Sequence, residues 1–172
     1  MQADAVDRIL DQWRRERPDL DVTAKAVTGR IVRLAAIIDR RYREVFASEG
    51  LKEGDYGGLV ALRRSGAPYE LTPTELARSQ MMTSGGMTSV IDRLERRGLV
   101  ARAPNPADRR GSLVRLTPEG RSLIERAMER HVEVEQELIA SLSNRERDDL
   151  VRGLRSLLLT LDQDAGPQPD ER

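Results

Sequence analysis

Residues 72–121 read TPTELARSQMMTSGGMTSVIDRLERRGLVARAPNPADRRGSLVRLTPEGR, and this stretch decides the fold. Its first four residues, TPTE, place threonine at an N-cap, proline at the first helical position and glutamate at the third, which together signal a helix start. The pattern predicts a short helix from Pro73 to about Arg78. A break follows at Met81 and Met82, after which the helical pattern resumes.

The second helix of this stretch starts directly after the break. Either Thr83 or Ser84 can cap it, and Gly98 ends it. Its apolar residues recur at helical spacing, so they lie on one face and predict a buried side. They are Met87, Val90, Ile91 and Leu94.

The residues after this helix predict a β-hairpin. Apolar residues favour short strands over 99–102 and 113–116, and Pro, Asn and Gly residues favour a turn-rich loop over 103–111. The loop carries Arg109 and Arg110 at its tip. This placement suits the narrow minor groove of DNA, whose negative potential attracts arginine. Two helices with a tight turn and then a hairpin form a winged helix-turn-helix.

Small polar groups cluster at the start of the second helix. A recognition helix reads base edges near its N-terminus, where exposed N–H groups also attract phosphate. Arg93 lies further along the same helix and suits phosphates or guanine edges. Double-stranded DNA is therefore the predicted partner of this helix and of the hairpin tip. The polar candidates at the helix start are Thr83, Ser84, Gly86, Thr88 and Ser89.

Three helices are predicted before the winged block. The first spans 3–17 and carries Trp13 on its apolar stripe, and the second begins near Thr23 and ends at Gly50. The third covers about 53–65, although three glycines weaken this prediction because each disfavours a helix interior by about 1 kcal/mol.

Two long helices are predicted after the winged block. The sequence TPE at 117–119 opens the first, and the capping box SNRE at 143–146 opens the second. Their apolar stripes, like that of the helix before Gly50, extend further than one small winged domain needs to cover. We therefore expect these helices to form a homodimer interface, although an intramolecular helical bundle would use the same stripes.

The predicted fold class is mainly α, a winged helix-turn-helix with a two-stranded β-wing and long terminal helices forming a dimerisation body. Residues 1–20 form an N-terminal extra helix, and residues 21–50 and 122–163 form the dimerisation helices. Residues 51–121 form the DNA-binding domain, and residues 164–172 a disordered tail.

Composition excludes several classes of function. Among 172 residues there is no cysteine and a single histidine, so thiolate sites, disulfides and sites with several histidines within one chain are ruled out. That histidine, His131, faces an apolar stripe and is expected to be a satisfied core or interface residue. No apolar run is long enough for a membrane span, and no signal peptide is visible, which favours a cytoplasmic protein. No cofactor, metal or catalytic residue is predicted.

Charge is unevenly distributed although the formal net charge is zero. Residues 72–121 hold nine arginines against five acidic residues, whereas residues 122–172 hold seven basic and twelve acidic residues. The predicted DNA-binding block is therefore the cationic part of the chain, and arginine suits both phosphate and guanine.

The segments MTSVIDRLERRGLVAR at 87–102, DRR at 108–110 and LTPEG at 116–120 resemble the MarR (multiple antibiotic resistance) regulators. The resemblance covers about residues 23–162. It implies a homodimeric bacterial transcription regulator, usually a repressor released from palindromic DNA by a small-molecule effector, with the terminal helices forming the dimer interface.

The N-terminal extra helix resembles the urate-responsive branch of that family. This resemblance implies a ligand pocket to which Trp13 and Arg102 would contribute, whereas the simpler interpretation of Trp13 is that it packs the extra helix onto the dimer body. The branch also uses an aspartate and a second arginine, and these positions fall at Gly57 and Val90 here. We therefore expect urate not to act on this protein, and expect any effector to be less polar.

Two other classes of function fit the sequence less well than DNA binding. An enzyme is disfavoured because the sequence contains no nucleophile elbow, P-loop, dinucleotide fingerprint or metal-ligand spacing. A winged helix used as a protein–protein interaction module without effector control would not need the Arg109–Arg110 tip or the polar helix start. A DNA-binding regulator without any effector stays open.

Overall fold

The computed structural model describes residues 3–164, apart from the side chains of residues 109, 110, 163 and 164. The predicted tail therefore lies outside the described residues except for its first position. The elements in chain order are α1 (Ala5–Glu16), α2 (Lys25–Ser48), α3 (Glu53–Arg64), β1 (Glu70–Leu71), α4 (Pro73–Ser79), α5 (Ser84–Arg96), β2 (Val100–Asn105), β3 (Asp108–Leu116), α6 (Pro118–Leu138) and α7 (Asn144–Asp164). The chain divides into two compact units between His131 and Val132.

Helix α1 docks on the first turns of α2. Its N-cap Asp4 accepts hydrogen bonds from the backbone N–H groups of Val6 and Asp7, at 2.7 and 2.9 Å. Arg30 of α2 then donates to both Asp4 and Asp7, at 2.9 and 2.7 Å. Val6 and Leu10 are buried with Val22, whereas Trp13 keeps 40% of its surface exposed. The predicted helix is thus confirmed, but its tryptophan lies outside the core of this chain.

The glycines of α3 allow other helices to approach closely. A β-carbon at Gly54 would lie 3.2 Å from a methyl group of Val90, and one at Gly58 would lie 3.5 Å from the other methyl. A β-carbon at Gly57 would lie 2.0 Å from the side-chain oxygen of Gln80. The helix forms despite its glycines because tertiary contacts compensate for their low helix propensity.

The sheet has three strands in the order β1–β3–β2, all antiparallel, where the sequence predicted two. Strand β1 is only two residues long, too short to show an alternating pattern. The predicted loop over 103–111 is also wrong for most of its length, because β2 and β3 leave only residues 106 and 107 between them. Pro104 is tolerated because β2 is an edge strand and its register shifts directly after this residue.

Gly120 at the start of α6 lies against the backbone of Leu99. A β-carbon at Gly120 would come within 1.9 Å of the Leu99 carbonyl oxygen. That oxygen also accepts the N–H of Thr117 at 3.2 Å, so it cannot move freely. We expect Gly120→Ala to lower the free energy of unfolding by about 1–3 kcal/mol through overpacking.

Urea denaturation measures this loss, and Gly85→Ala is the matched control. Gly85 lies in the first turn of helix α5 with open space around it. There alanine should leave stability unchanged or raise it, because alanine favours a helix by up to about 1 kcal/mol over glycine. Equal stability of the two variants would contradict the close approach at Gly120.

The core lies where α3, α4, α5, the sheet and α6 meet, and its most deeply buried apolar side chains include Leu59, Leu62, Leu76, Met87, Ile91, Leu94, Val114 and Ile124. Other apolar residues are exposed on α2 and on α7. On α2 the exposed fractions reach 70% at Val32, and on α7 they reach 59% at Leu158. Among the described residues, no helix is long and apolar enough to cross a membrane.

Candidate nucleic-acid interface

Helices α4 and α5 form the predicted helix-turn-helix. Thr72 caps α4 reciprocally with Glu75: its Oγ1 accepts the Glu75 N–H at 3.2 Å, and the Glu75 carboxylate accepts the Thr72 N–H at 2.7 Å. The hydrogen bonds that the Thr72 backbone N–H and hydroxyl donate to this carboxylate lower the pKa of Glu75. The turn contains Met81 with φ of 49°, and the N–H of Met82 donates to the Ala77 carbonyl at 2.9 Å.

Thr83, rather than Ser84, caps the recognition helix α5. Its hydroxyl accepts the N–H of Gly86 at 3.2 Å. Ser84, Thr88 and Ser89 lie on the solvent side of α5, opposite the buried face predicted from the sequence. The hydroxyls of Thr88 and Ser89 donate to helix carbonyls, at 2.9 and 3.2 Å. Their oxygen lone pairs therefore face outward as acceptors, and their protons can rotate to meet a base edge.

Arg93 points into the protein, where it pairs with Asp55 of α3. Its Nε and Nη2 lie 2.7 and 2.6 Å from Asp55 Oδ1. The Asp55 side chain is 1% exposed, and the hydrogen bond from Arg93 raises the pKa of the guanidinium. The sequence predicted a DNA contact for Arg93 and did not reveal its partner 38 positions earlier.

Arg97, the C-cap residue of α5, donates to the backbone of the α2–α3 connection. Its Nη1 lies 2.7 Å from the Gly50 carbonyl oxygen, and its Nη2 lies 3.3 Å from that of Glu49. Gly50 has a φ of 66° there, in the left-handed region that glycine adopts readily. Sequence reasoning missed this contact because a backbone acceptor leaves no mark in the side-chain pattern.

Arg102 connects the wing to the recognition helix. It pairs with Asp92 at 2.6 Å and also with Glu95, both on α5. These carboxylates raise the pKa of the Arg102 guanidinium, with the hydrogen bond to Asp92 contributing most. Trp13 instead lies near Lys25, whose ammonium is 6.0 Å from the ring centroid. The two predicted ligand-binding residues are therefore engaged in separate contacts within this chain.

The wing tip is a tight connection between β2 and β3. The side-chain oxygen of Asn105 accepts the N–H of Ala107 at 2.9 Å. The Asp108 carboxylate packs against Gly111, where an added β-carbon would lie 3.0 Å from it. The backbone of Arg109 and Arg110 belongs to β3, and their side chains lie outside the described part.

Comparison with known proteins agrees with this arrangement. A sequence model described as the MarR family matches residues 50–111. The transcriptional regulator PecS of Dickeya dadantii is 40% identical over 145 residues, which cover 84% of this chain and 87% of PecS. The chain belongs to the MarR family.

The chain is also similar to a repressor and to a protein solved in complex with DNA. The MarR-family chain is similar to the transcriptional repressor YetL of Bacillus subtilis, at 32% identity over 65% of this chain and 66% of YetL. It is also similar to a solved structure of a single-residue mutant of MarR from E. coli complexed with operator DNA. That match has a TM-score of 0.66 at 28% identity and covers 81% of this chain and 99% of the other.

This MarR-family protein also contains an aromatic cavity of about 310 Å³ between α2, α3 and α4. The rings of Phe46 and Tyr56 stack in its wall, with centroids 4.2 Å apart, and Tyr42 lies beside them. The hydroxyl of Tyr56 lies 2.6 Å from Nδ1 of His131, and His131 is half-buried at the base of this cluster.

The cavity differs from the pocket that the sequence predicted. Its lining includes Gly57 and Gln80 but not Val90, Trp13 or Arg102. Val90 is 3% exposed and packs against Gly54 and Gly58 between α3 and α5. Val90 is therefore buried between these two helices, and the apolar surface of this cavity comes from the aromatic rings.

Proposed function

We propose that the protein is a homodimeric transcriptional repressor that binds palindromic double-stranded DNA. The observation that carries this proposal is the exposed row of hydroxyls at the start of α5, on a helix whose opposite face is buried. The similarity to the repressor YetL and to a MarR structure that contains operator DNA supports the same function.

In this proposal the recognition helix reads the major groove and the wing enters the minor groove. Arg93 acts indirectly, because its guanidinium is occupied by Asp55. Arg109 and Arg110 contact phosphates or the minor groove, where they contribute affinity with little sequence information. The proposed contacts of α5 are Thr83, Ser84, Gly86, Thr88 and Ser89.

The exposed apolar residues of α2 and α7 support dimerisation. On α7 they recur at helical spacing: Leu150, Leu154, Leu157, Leu158 and Leu161, each exposed by 38–59%. Leaving such a stripe in water is unfavourable, by about 25 cal/mol per Å² of apolar surface. Two recognition helices related by a two-fold axis should therefore read half-sites about 34–36 Å apart.

Variants of the wing and of the recognition helix test whether the wing supplies affinity and the helix supplies base preference. We expect Arg109→Ala with Arg110→Ala to weaken binding to all duplexes and to lower the salt dependence, because cations that neutralise phosphates are lost. We expect Ser89→Ala to change base preference, with about 1–3 kcal/mol per good base contact.

Fluorescence anisotropy at several salt concentrations, on duplexes selected from a random pool, measures both effects. Arg8→Ala is the control, since it removes one exposed positive charge from α1. An unchanged salt slope in the double arginine variant would show that the wing does not touch DNA. If the wild-type chain shows no salt-sensitive binding to duplex DNA, that result would favour the protein–protein interaction module instead.

The aromatic cavity is the proposed effector site. A ligand there contacts α2 on one side and α3 and α4 on the other, so it can favour one placement of the DNA-binding helices over another. Only such differential binding releases DNA, because equal affinity for both placements shifts nothing. The stacked rings favour a planar aromatic compound, and the same lining offers it charged partners of both signs, Asp39, Glu53 and Arg64.

We expect urate not to release the protein from its operator. Desolvating an anionic purine requires cationic and hydrogen-bonding partners. Gly57 supplies no carboxylate, Val90 supplies no guanidinium, and Arg102 is held by Asp92 and Glu95. Titration of urate into the protein–DNA complex, followed by calorimetry on free protein, checks this. Saturable urate binding that is lost in Trp13→Ala and in Arg102→Ala would overturn the expectation.

A further inference from the structure

We propose that Asp55 is a positioning residue for DNA recognition: through Arg93 it sets the orientation of helix α5 while touching no DNA itself. The inference rests on the proposed function, because it assumes that α5 reads the operator. It adds a residue on a different helix, sealed from solvent, that determines how well the exposed hydroxyls of α5 discriminate between base pairs.

The carboxylate of Asp55 is fixed from both sides. Its Oδ2 accepts the backbone N–H of Lys52 at 2.9 Å, which anchors it to the first turn of α3. Its Oδ1 accepts two donors of one planar guanidinium, Nε at 2.7 Å and Nη2 at 2.6 Å from Arg93. Two donors on a rigid fork define a direction as well as a distance. The position of Arg93 on α5 is thereby tied to the backbone of α3.

The other contacts between α3 and α5 are less directional. Val90 packs on the bare backbone at Gly54 and Gly58, where no β-carbon interlocks with it. Apolar packing of this kind is attractive but non-directional. Rotation or sliding of α5 over the glycine surface would be resisted by polar anchors, which are Arg93 on Asp55, Arg97 on the carbonyls of the α2–α3 connection, and Arg102 of the wing on Asp92 and Glu95.

A change in helix orientation would be transmitted directly to the DNA-reading groups. Ser89 and Arg93 are four residues apart on α5, so they are neighbours along one side of the helix. The Ser89 side chain faces solvent, whereas the guanidinium of Arg93 turns inward to Asp55. This inward contact therefore determines where the Ser89 hydroxyl lies relative to a base edge. Displacements of about 1 Å are enough to lengthen a hydrogen bond beyond its useful range.

A purely stabilising role is the alternative, and the two roles predict different results. If the pair only stabilises the fold, an apolar replacement of both partners restores function together with stability. If the pair positions α5, such a replacement keeps the fold and loses discrimination. Arg93→Lys tests the same point more gently, because lysine keeps the charge but not the planar fork.

The experiment compares the wild-type chain, Asp55→Leu with Arg93→Met, and Arg93→Lys. Each is titrated with the duplex selected by the wild-type chain and with a scrambled duplex of equal length, at one salt concentration. The readout is the ratio of the two affinities, and circular dichroism with urea denaturation reports folding. Arg8→Ala serves as the control on α1, where residue 8 is exposed and lies outside the α3–α5 contact.

We expect Arg93→Lys to lower the affinity ratio at least threefold and the apolar pair at least tenfold, with affinity for the scrambled duplex changed less than twofold. Wild-type discrimination in a folded apolar-pair variant would overturn the inference. If that variant does not fold, an unchanged ratio in Arg93→Lys overturns it equally. A wild-type chain that does not distinguish the duplexes at all would overturn the proposed function, and with it this inference.

Discussion

The double substitution Leu154→Glu with Leu158→Glu is expected to convert the protein into a monomer and to lower its affinity for a palindromic operator by about 10²–10⁴-fold. Both leucines lie on α7, four residues apart and therefore on one side of the helix, and they are 38% and 59% exposed in the single chain. Two carboxylates on this stripe would have to be desolvated in an apolar interface, which is strongly unfavourable. Without the dimer, each recognition helix binds its half-site alone.

Sedimentation velocity and anisotropy on a two-half-site duplex measure this effect. Ser156→Glu is the matched control, because residue 156 lies on the opposite side of α7 from residue 154 by helical periodicity. It should leave a dimer with nearly wild-type affinity. A Leu154→Glu, Leu158→Glu variant that stays dimeric and binds normally would place the interface away from α7.

Breaking the Asp55–Arg93 pair from one side is the second large effect we expect. Arg93→Ala should lower the free energy of unfolding by about 3–5 kcal/mol, because it leaves the carboxylate of Asp55 buried without its charged partner. Natural domains are stable by about 5–15 kcal/mol, so this single change would remove a large share of the stability. Urea denaturation measures the loss.

Two comparisons make this stability prediction specific. The double variant Asp55→Leu with Arg93→Met should lose much less stability than Arg93→Ala, since no charge is left buried. Asp19→Asn should change stability by about 0–1 kcal/mol, because it breaks the Arg17–Asp19 pair, whose side chains are both more than half exposed. Similar losses in all three variants would show that burial of Asp55 is not the cause.

Local signals in the sequence correctly predicted the helix-turn-helix. The start of α4 lies at Pro73, as the TPTE signal predicted, and its reciprocal cap is present. The end of α5 before Gly98 and its buried face are likewise as predicted. These features depend on residues three or four positions apart, so the interactions that create them are visible in the order of amino acids.

The site was only partly predictable, because a pattern shows which residues face outward but not what the inward ones contact. The exposed hydroxyls at the start of α5 follow from the helical period. The partner of Arg93 does not, since Asp55 reads in the sequence as one more acidic residue near a helix start. Arg102 likewise suited a ligand pocket by resemblance, and the carboxylates of Asp92 and Glu95 hold it instead.

The sequence by itself therefore determined the fold class, the family and the polar face that α5 presents to solvent. The tertiary structure alone decided three things: the third strand, the role of the α3 glycines and the inward direction of Arg93. Each depends on segments far apart in the chain: β1 pairs with β3, Gly57 accommodates Gln80, and Asp55 meets Arg93. Contacts of this kind form only when packing brings the segments together, and short-range periodicity carries no record of them.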